Sequence, residues 1–186
     1  MARQLLSLGI AVAMLVAPFA AAQTIVADKS EIAFTVKQMG VKFDGSFRKW
    51  KGDIVFRPGA LGASKAAIDV DLASIDLASE DSEAAARGSQ WFDTARFPVA
   101  HFASTAIKDL GSDRYEVDGK LTIKGSTRDC IVPIRVTSDA AGNRIAEGQF
   151  SIRRLDYRIG EGEWADPDTV ANDIAVRVRI VLAPSH

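Results

Sequence analysis

The chain reads as an all-β protein, eight antiparallel strands closed into a barrel with a short helix or helical loop near one end. Three observations lead there. Apolar and polar residues alternate strictly over most of the chain. The clearest case sets Tyr115, Val117, Leu121 and Ile123 against Glu116, Asp118, Lys120, Thr122 and Lys124. Such alternation marks strands with one wet face and one apolar face. Many of them in one short chain need a shared apolar interior, and closure into a barrel provides it without exposed edges. Turn-forming clusters punctuate the runs, at Pro58-Gly59, Gly111-Ser112-Asp113 and Ala140-Ala141-Gly142-Asn143.

In chain order, the first strand covers residues 30–38, where Ile32, Phe34 and Val36 share a face. The second covers 46–57, with a bend allowed at Gly52. The third, 65–72, places Ile68, Val70 and Leu72 opposite Asp69 and Asp71. Residues 78–90 break the pattern, being rich in helix formers and free of β-branched side chains. Ser79, Ser82 and Glu83 suit the start of a short helix, and a polar loop anchored by Trp91 and Phe92 is the alternative. Strands follow at 99–107, 113–124, 129–138 and 144–153, with Gly125-Ser126-Thr127 as a tight connection. Residues 160–171 carry Trp164, two glycines and Pro167 and suit a rim loop. The last strand, 172–182, sets Ile174, Val176, Val178 and Ile180 against Ala175, Arg177 and Arg179.

Residues 1–22 are a different kind of sequence. Arg3 gives a positive start, residues 5–19 are uncharged and largely apolar, and Ala20-Ala21-Ala22 supplies small residues at a cleavage site. This is the pattern of a secretory signal peptide, so an exported product of one domain over residues 23–186 is expected, with an uncleaved membrane anchor as the alternative. Without Arg3 the chain holds 22 basic and 24 acidic residues, a formal charge of −2 that gives no electrostatic case for nucleic acid. Cys130 is the only cysteine and shares the alternating face of Val132, Ile134 and Val136, where a buried, inert thiol is expected.

Catalytic chemistry finds little footing. The two histidines, His101 and His186, have no metal-ligand spacing, and no metal is expected. Asp69 and Asp71 belong to the wet face of a strand, and Asp81 and Glu83 to a helix start, where the dipole favours acids. No nucleophile elbow, zinc-protease motif or phosphate loop is present. The one dense polar group is Arg153-Arg154-Leu155-Asp156-Tyr157-Arg158, readable as a head-group site or as an Arg–Asp pair closing a loop. A binding protein, not an enzyme, is expected.

Several segments together resemble the YceI-like family. They are Phe34-Thr35-Val36-Lys37, Gly45-Ser46-Phe47, Gly52-Asp53-Ile54-Val55-Phe56, Trp91 to Pro98 leading into His101-Phe102-Ala103-Ser104, Leu121 to Arg128, and Arg154-Leu155-Asp156-Tyr157. The resemblance spans residues 24–183 in order. It implies an exported, periplasmic, lipocalin-like barrel that holds an isoprenoid lipid, either a polyprenyl chain or an isoprenoid quinone, with no other cofactor. It further implies a partner in a membrane cytochrome b561-type electron-transfer system or an envelope-stress system, with the protein a monomer or dimer. An isomerase or cyclase is a remote third reading that lacks an acid–base pair. Arg158 stands where the family pattern often has glycine.

On the apolar faces, the residues expected to line the interior are Phe34, Val36, Phe56, Val70, Phe102, Tyr115, Leu121, Ile123, Phe150 and Ile152. The rim and head-group candidates are Trp91, Arg154, Tyr157 and Trp164, since amphipathic rings suit a mouth that meets lipid. Alternation fixes which face is apolar. It leaves open whether that face encloses a cavity or a filled core.

Overall fold

The computed structural model describes residues 22–184. The expected leader falls outside them but for its last residue, as does His186. Ten strands and one α-helix are formed among the described residues, in the order β1 (Glu31–Gln38), β2 (Val41–Phe47), β3 (Trp50–Val55), β4 (Lys65–Asp71), β5 (Ile75–Asp76), α1 (Glu80–Arg87), β6 (Val99–Gly111), β7 (Arg114–Ile123), β8 (Ser126–Ser138), β9 (Arg144–Arg153) and β10 (Asp173–Leu182). All belong to one antiparallel sheet ordered β3-β4-β6-β7-β8-β9-β10-β1-β2-β5, curled into a half-barrel.

The expected closed barrel of eight strands is corrected to a half-barrel of ten. Among the described residues the end strands β3 and β5 pair only with β4 and β2 and not with each other, and the extra strands have a local cause. The strand expected at 46–57 begins earlier, at Val41, and breaks at Arg48-Lys49 into β2 and β3. The strand expected at 65–72 ends at Asp71, makes a single helical turn over Leu72–Ser74, and resumes as the two-residue β5. The two breaks lie side by side and are stitched together. Arg48 N donates to Ser74 O at 3.0 Å, Asp71 N donates to Lys49 O at 3.0 Å, and the Ser74 hydroxyl accepts from Lys49 N at 2.9 Å. Backbone groups that leave the ladder thus find partners within the corner, as buried amides require.

Gly45 explains why the start of β2 is weak in the sequence pattern. It interrupts the run Val41, Phe43, Phe47, and a Cβ there would lie 2.5 Å from Phe34 Cζ and 2.7 Å from Leu77 Cδ2. Only glycine lets those side chains cross the strand at that point. In β6 a bulge between Ser104 and Ala106 shifts the register against β7. It swaps the parity of the strand, so that Phe102 and Ile107 both face inward.

β8 and β9 pair only from Ile134–Ser138 against Arg144–Gly148. The pairing ends next to Pro133, which has no N–H to give a neighbouring strand. Beyond it the helical turn Arg154–Tyr157 packs against β8. The segment 78–90 takes the helical alternative. Ser79 caps α1 by accepting from Ser82 N at 3.2 Å, and Glu80, Asp81 and Glu83 occupy its first turn.

Core packing is divided between the ends of the curl. Ile54, Phe56, Tyr115, Ile180 and Leu182 form one cluster, and Leu72, Ala100, Ile123, Tyr157 and Ile159 form another. A smaller cluster of Val117, Cys130 and Val132 lies on the side wall.

Candidate functional site

Between these clusters the inner faces of the strands enclose a cavity of about 670 Å³. That is within the range of sites that bury most of a small ligand, roughly 300–1,000 Å³. Aliphatic and aromatic side chains from all ten strands make the wall, and polar heads are few. Gln38, Asp44, Ser79 and Ser82 contribute them where the β1–β2 hairpin faces α1, and Lys65 and Arg144 do so from the other end. Phe43 lines the cavity and is also exposed, which marks the hairpin side as a mouth.

Nine of the ten residues expected on the interior lie on this wall: Phe34, Val36, Phe56, Val70, Phe102, Leu121, Ile123, Phe150 and Ile152. Tyr115 does not, and its placement is corrected. It is on the inward face but is only the second residue of β7, so it reaches the end of the curl. There its ring packs edge-on against Phe56 at 5.1 Å and helps to close the cavity floor. Phe43, Phe47 and Val176 also line the cavity. The two phenylalanines follow the alternation that Gly45 masks, and Val176 lies on a face whose period was already plain in the sequence.

The four rim candidates separate. Trp91 and Trp164 both border the cavity, with ring centroids 5.7 Å apart. Tyr157 does not; it is 3% exposed within the Leu72 cluster, and burial pushes its phenol up to about 12. Its place is corrected from rim to core, because the residues that follow β9 fold inward as a helical turn instead of ending at the edge.

Arg154 borders the cavity but is fully buried, and every N–H of its guanidinium is in use. Nε donates to Ala171 O at 3.1 Å, Nη1 to Ile159 O and Gly160 O at 2.8 and 2.9 Å, and Nη2 to Trp164 O and Val170 O at 2.6 and 2.7 Å. A guanidinium has five N–H donors, so none is left for a head group. The head-group expectation for Arg154 is corrected to a hub that pins residues 159–171 over the end of the cavity. Gly160 fits this hub closely, because a Cβ there would lie 2.4 Å from Arg154 Nη1 and its φ is +75°.

A second buried cation works beside it. Lys124 Nζ donates to Ser89 O, Arg158 O and Glu161 Oε2, each at 2.8 Å. That hydrogen bond holds the Glu161 carboxyl below its usual range. Arg158 has φ +57° and donates through Nη2 to Lys124 O at 3.0 Å. Its left-handed backbone accounts for the glycine of the family pattern at this position. Nothing in the alternation marks Lys124, which it assigns to a wet face.

The groups considered for catalysis stand away from the cavity. His101 Nδ1 and Asp69 Oδ1 are 2.5 Å apart on the outer face, near Lys51. Burial pushes the Cys130 thiol up to about 11, which keeps it protonated and unreactive at neutral pH.

Comparison with known proteins gives a consistent set of relatives. The model of the YceI-like domain matches residues 23–182. A UPF0312 protein of Vibrio cholerae serotype O1 is 30% identical over 138 residues, covering 71% of this chain and 72% of that protein. A UPF0312 protein of Shewanella sp. strain W3-18-1 is 30% identical over 154 residues, covering 80% and 76%. Among solved structures, Burkholderia cenocepacia BcnA superposes with a TM-score of 0.82 at 33% identity, over 85% of this chain and 99% of BcnA. A polyisoprenoid binding domain from Saccharophagus degradans, implicated in plant cell wall breakdown, shares the fold with a TM-score of 0.71 at 19% identity, over 88% and 99%.

Proposed function

The chain belongs to the YceI-like family, and on that premise we propose that it holds an isoprenoid lipid, a polyprenyl chain or an isoprenoid quinone, inside its curled sheet. It does so as a periplasmic carrier, exported by the leader at residues 1–22, and it acts by binding without catalysis. The observation that carries this reading is the cavity itself, about 670 Å³ and walled almost wholly by apolar side chains.

Partition supplies the mechanism. Each CH₂ group moved from water into such a wall gains ~0.8 kcal/mol, before the cost of ordering the chain. Affinity therefore needs no polar contact. At the roughly 30 Å³ of a water-sized group, the cavity admits about twenty such groups, or about four five-carbon units. A longer tail leaves its remainder, and the head group, at the mouth between the β1–β2 hairpin and α1. Trp91 and Trp164 supply the amphipathic surface there.

Native mass spectrometry of protein purified from its own host, followed by organic extraction, tests this. A bound prenyl lipid is expected. Added isoprenoid quinones of increasing tail length should raise the melting temperature up to about four units and then level off. An empty protein that gains no stability from any of them would overturn the proposal.

A further inference from the structure

The inner, apolar face of β2 does not stop at the cavity. Along Phe43, Val41 and Met39 it runs outward to the tip of the hairpin, and exposure climbs from 43% to 58% to 78%. Phe43 lines the cavity, so the exposed ridge and the interior share one continuous apolar surface. Exposed side chains of this size at a hairpin tip need a reason, because a short turn could carry polar residues at no cost to the fold. Met39 even occupies a left-handed position, φ 49°, followed by Gly40 at φ 81°. Asn-Gly is the favoured pair for such a turn, so methionine is present against the local preference.

We propose that this tip is a docking lip that inserts into the surface of a lipid bilayer, so that a lipid passes from the membrane along the β2 face into the cavity. The proposal rests on the lipid-holding reading above and adds the route of loading. The bilayer is favoured over a second copy of the chain by size. Three side chains fall far short of the roughly 800 Å² a side that a stable protein interface buries. Charge indicates what kind of bilayer surface is recognised. Lys37 and Lys42 flank the tip, but so do Asp44, Asp166 and Asp168, the last two in the loop whose Thr169 O accepts from Met39 N at 2.9 Å. The signs offset one another, so insertion is apolar and needs no anionic lipid.

The test is flotation of the protein with vesicles of pure phosphatidylcholine, comparing wild type with Met39→Asn/Val41→Thr. These substitutions suit the turn and the strand and touch neither the cavity wall nor its floor. Wild type should float, and still do so at about 0.5 M salt, where surface charge is screened. The double variant should bind about tenfold more weakly, as the loss of two inserted side chains implies. Uptake of a long-tailed isoprenoid quinone from detergent micelles, read by quenching of Trp91 and Trp164 fluorescence, should be the same for both. The inference is overturned if wild type does not float, if the variant floats equally well, or if flotation requires phosphatidylglycerol and disappears with salt. It is also overturned if the tip proves to hold two copies together, seen as a dimer that the variant abolishes. Flotation as expected with no quinone uptake by either protein would remove the lipid-holding reading and leave the lip standing.

Discussion

The wall of the cavity and the loops over its end are built by opposite means. The wall is apolar contact between alternating side chains, such as Phe102, Leu121, Phe150 and Val176, and no single bond organises it. The end is irregular backbone held by two buried cations, Arg154 and Lys124, that spend their N–H groups on carbonyl oxygens and, for one of Lys124's, on the Glu161 carboxylate. A hollow tolerates loose, replaceable neighbours, because its wall already faces empty space. Irregular backbone at depth does not, because each carbonyl without a partner has lost water and gained nothing. The two regions should therefore respond very differently to truncation.

Arg154→Met is the strongest test of that difference. It keeps an unbranched apolar stem and removes all five donors, leaving the carbonyls of Ile159, Gly160, Trp164, Val170 and Ala171 unpaired. The expected loss is about 4 kcal/mol or more, since each unsatisfied buried acceptor costs on the order of 1–3 kcal/mol and some relax toward water. For a domain of this size that lowers the melting temperature by about 8–16 °C, measurable by calorimetry. Arg154→Lys should recover only a minor part, because three donors on a point charge cannot span the same carbonyls. A loss below about 1 kcal/mol would mean that the loops hold themselves, and the contrast would fail.

Phe150→Ala probes the wall. A phenylalanine truncated in a packed core costs about 3–5 kcal/mol, much of it for the cavity left behind. Phe150 already borders a hollow, so the expected cost is smaller, about 1–2 kcal/mol by the same reasoning. The enlarged cavity should in turn admit a longer stretch of tail, shifting the plateau in quinone stabilisation to a greater length. Denaturant midpoints and the tail-length series measure both. A full core-type penalty would show that the ring is held by packing on all sides.

The same contrast explains what the sequence made legible. The wall was readable because a two-residue period states which side chains share a face, and that rule placed Phe34, Val36, Val70 and Ile152. It failed at Tyr115, because parity gives the face but not the distance from the strand's end. It also failed at β2, where Gly45 breaks the apolar run to admit Phe34. The end was unreadable for a different reason. Arg154 joins residues 5 to 17 positions away, and Lys124 joins others 34 and 35 away, by bonds to backbone carbonyls that no local pattern encodes. A buried guanidinium and a solvated one look alike in a sequence. Here the arginine-rich segment suggested a head-group site and proved to be a structural clamp.

The smallest effect belongs to the exposed half of the Lys124–Glu161 pair, and it separates a tether from a decoration. Glu161 is 47% exposed in its side chain, so its contribution is discounted to below about 1 kcal/mol. Its carboxyl is held below the ordinary value by the Lys124 hydrogen bond, which means that the folded state binds its proton less readily than the unfolded chain does. The stabilisation is therefore present above the unfolded value of about 4.3 and is lost as pH falls through the lower folded value. Glu161→Gln should be slightly less stable than wild type near pH 7, and the gap should close as pH falls through the lowered native value and the folded carboxyl also becomes neutral. Urea midpoints of the two proteins across that range give the comparison directly. A gap that stays constant with pH would show that the carboxylate charge does nothing for the tether, leaving Ser89 O and Arg158 O to hold Lys124 unaided.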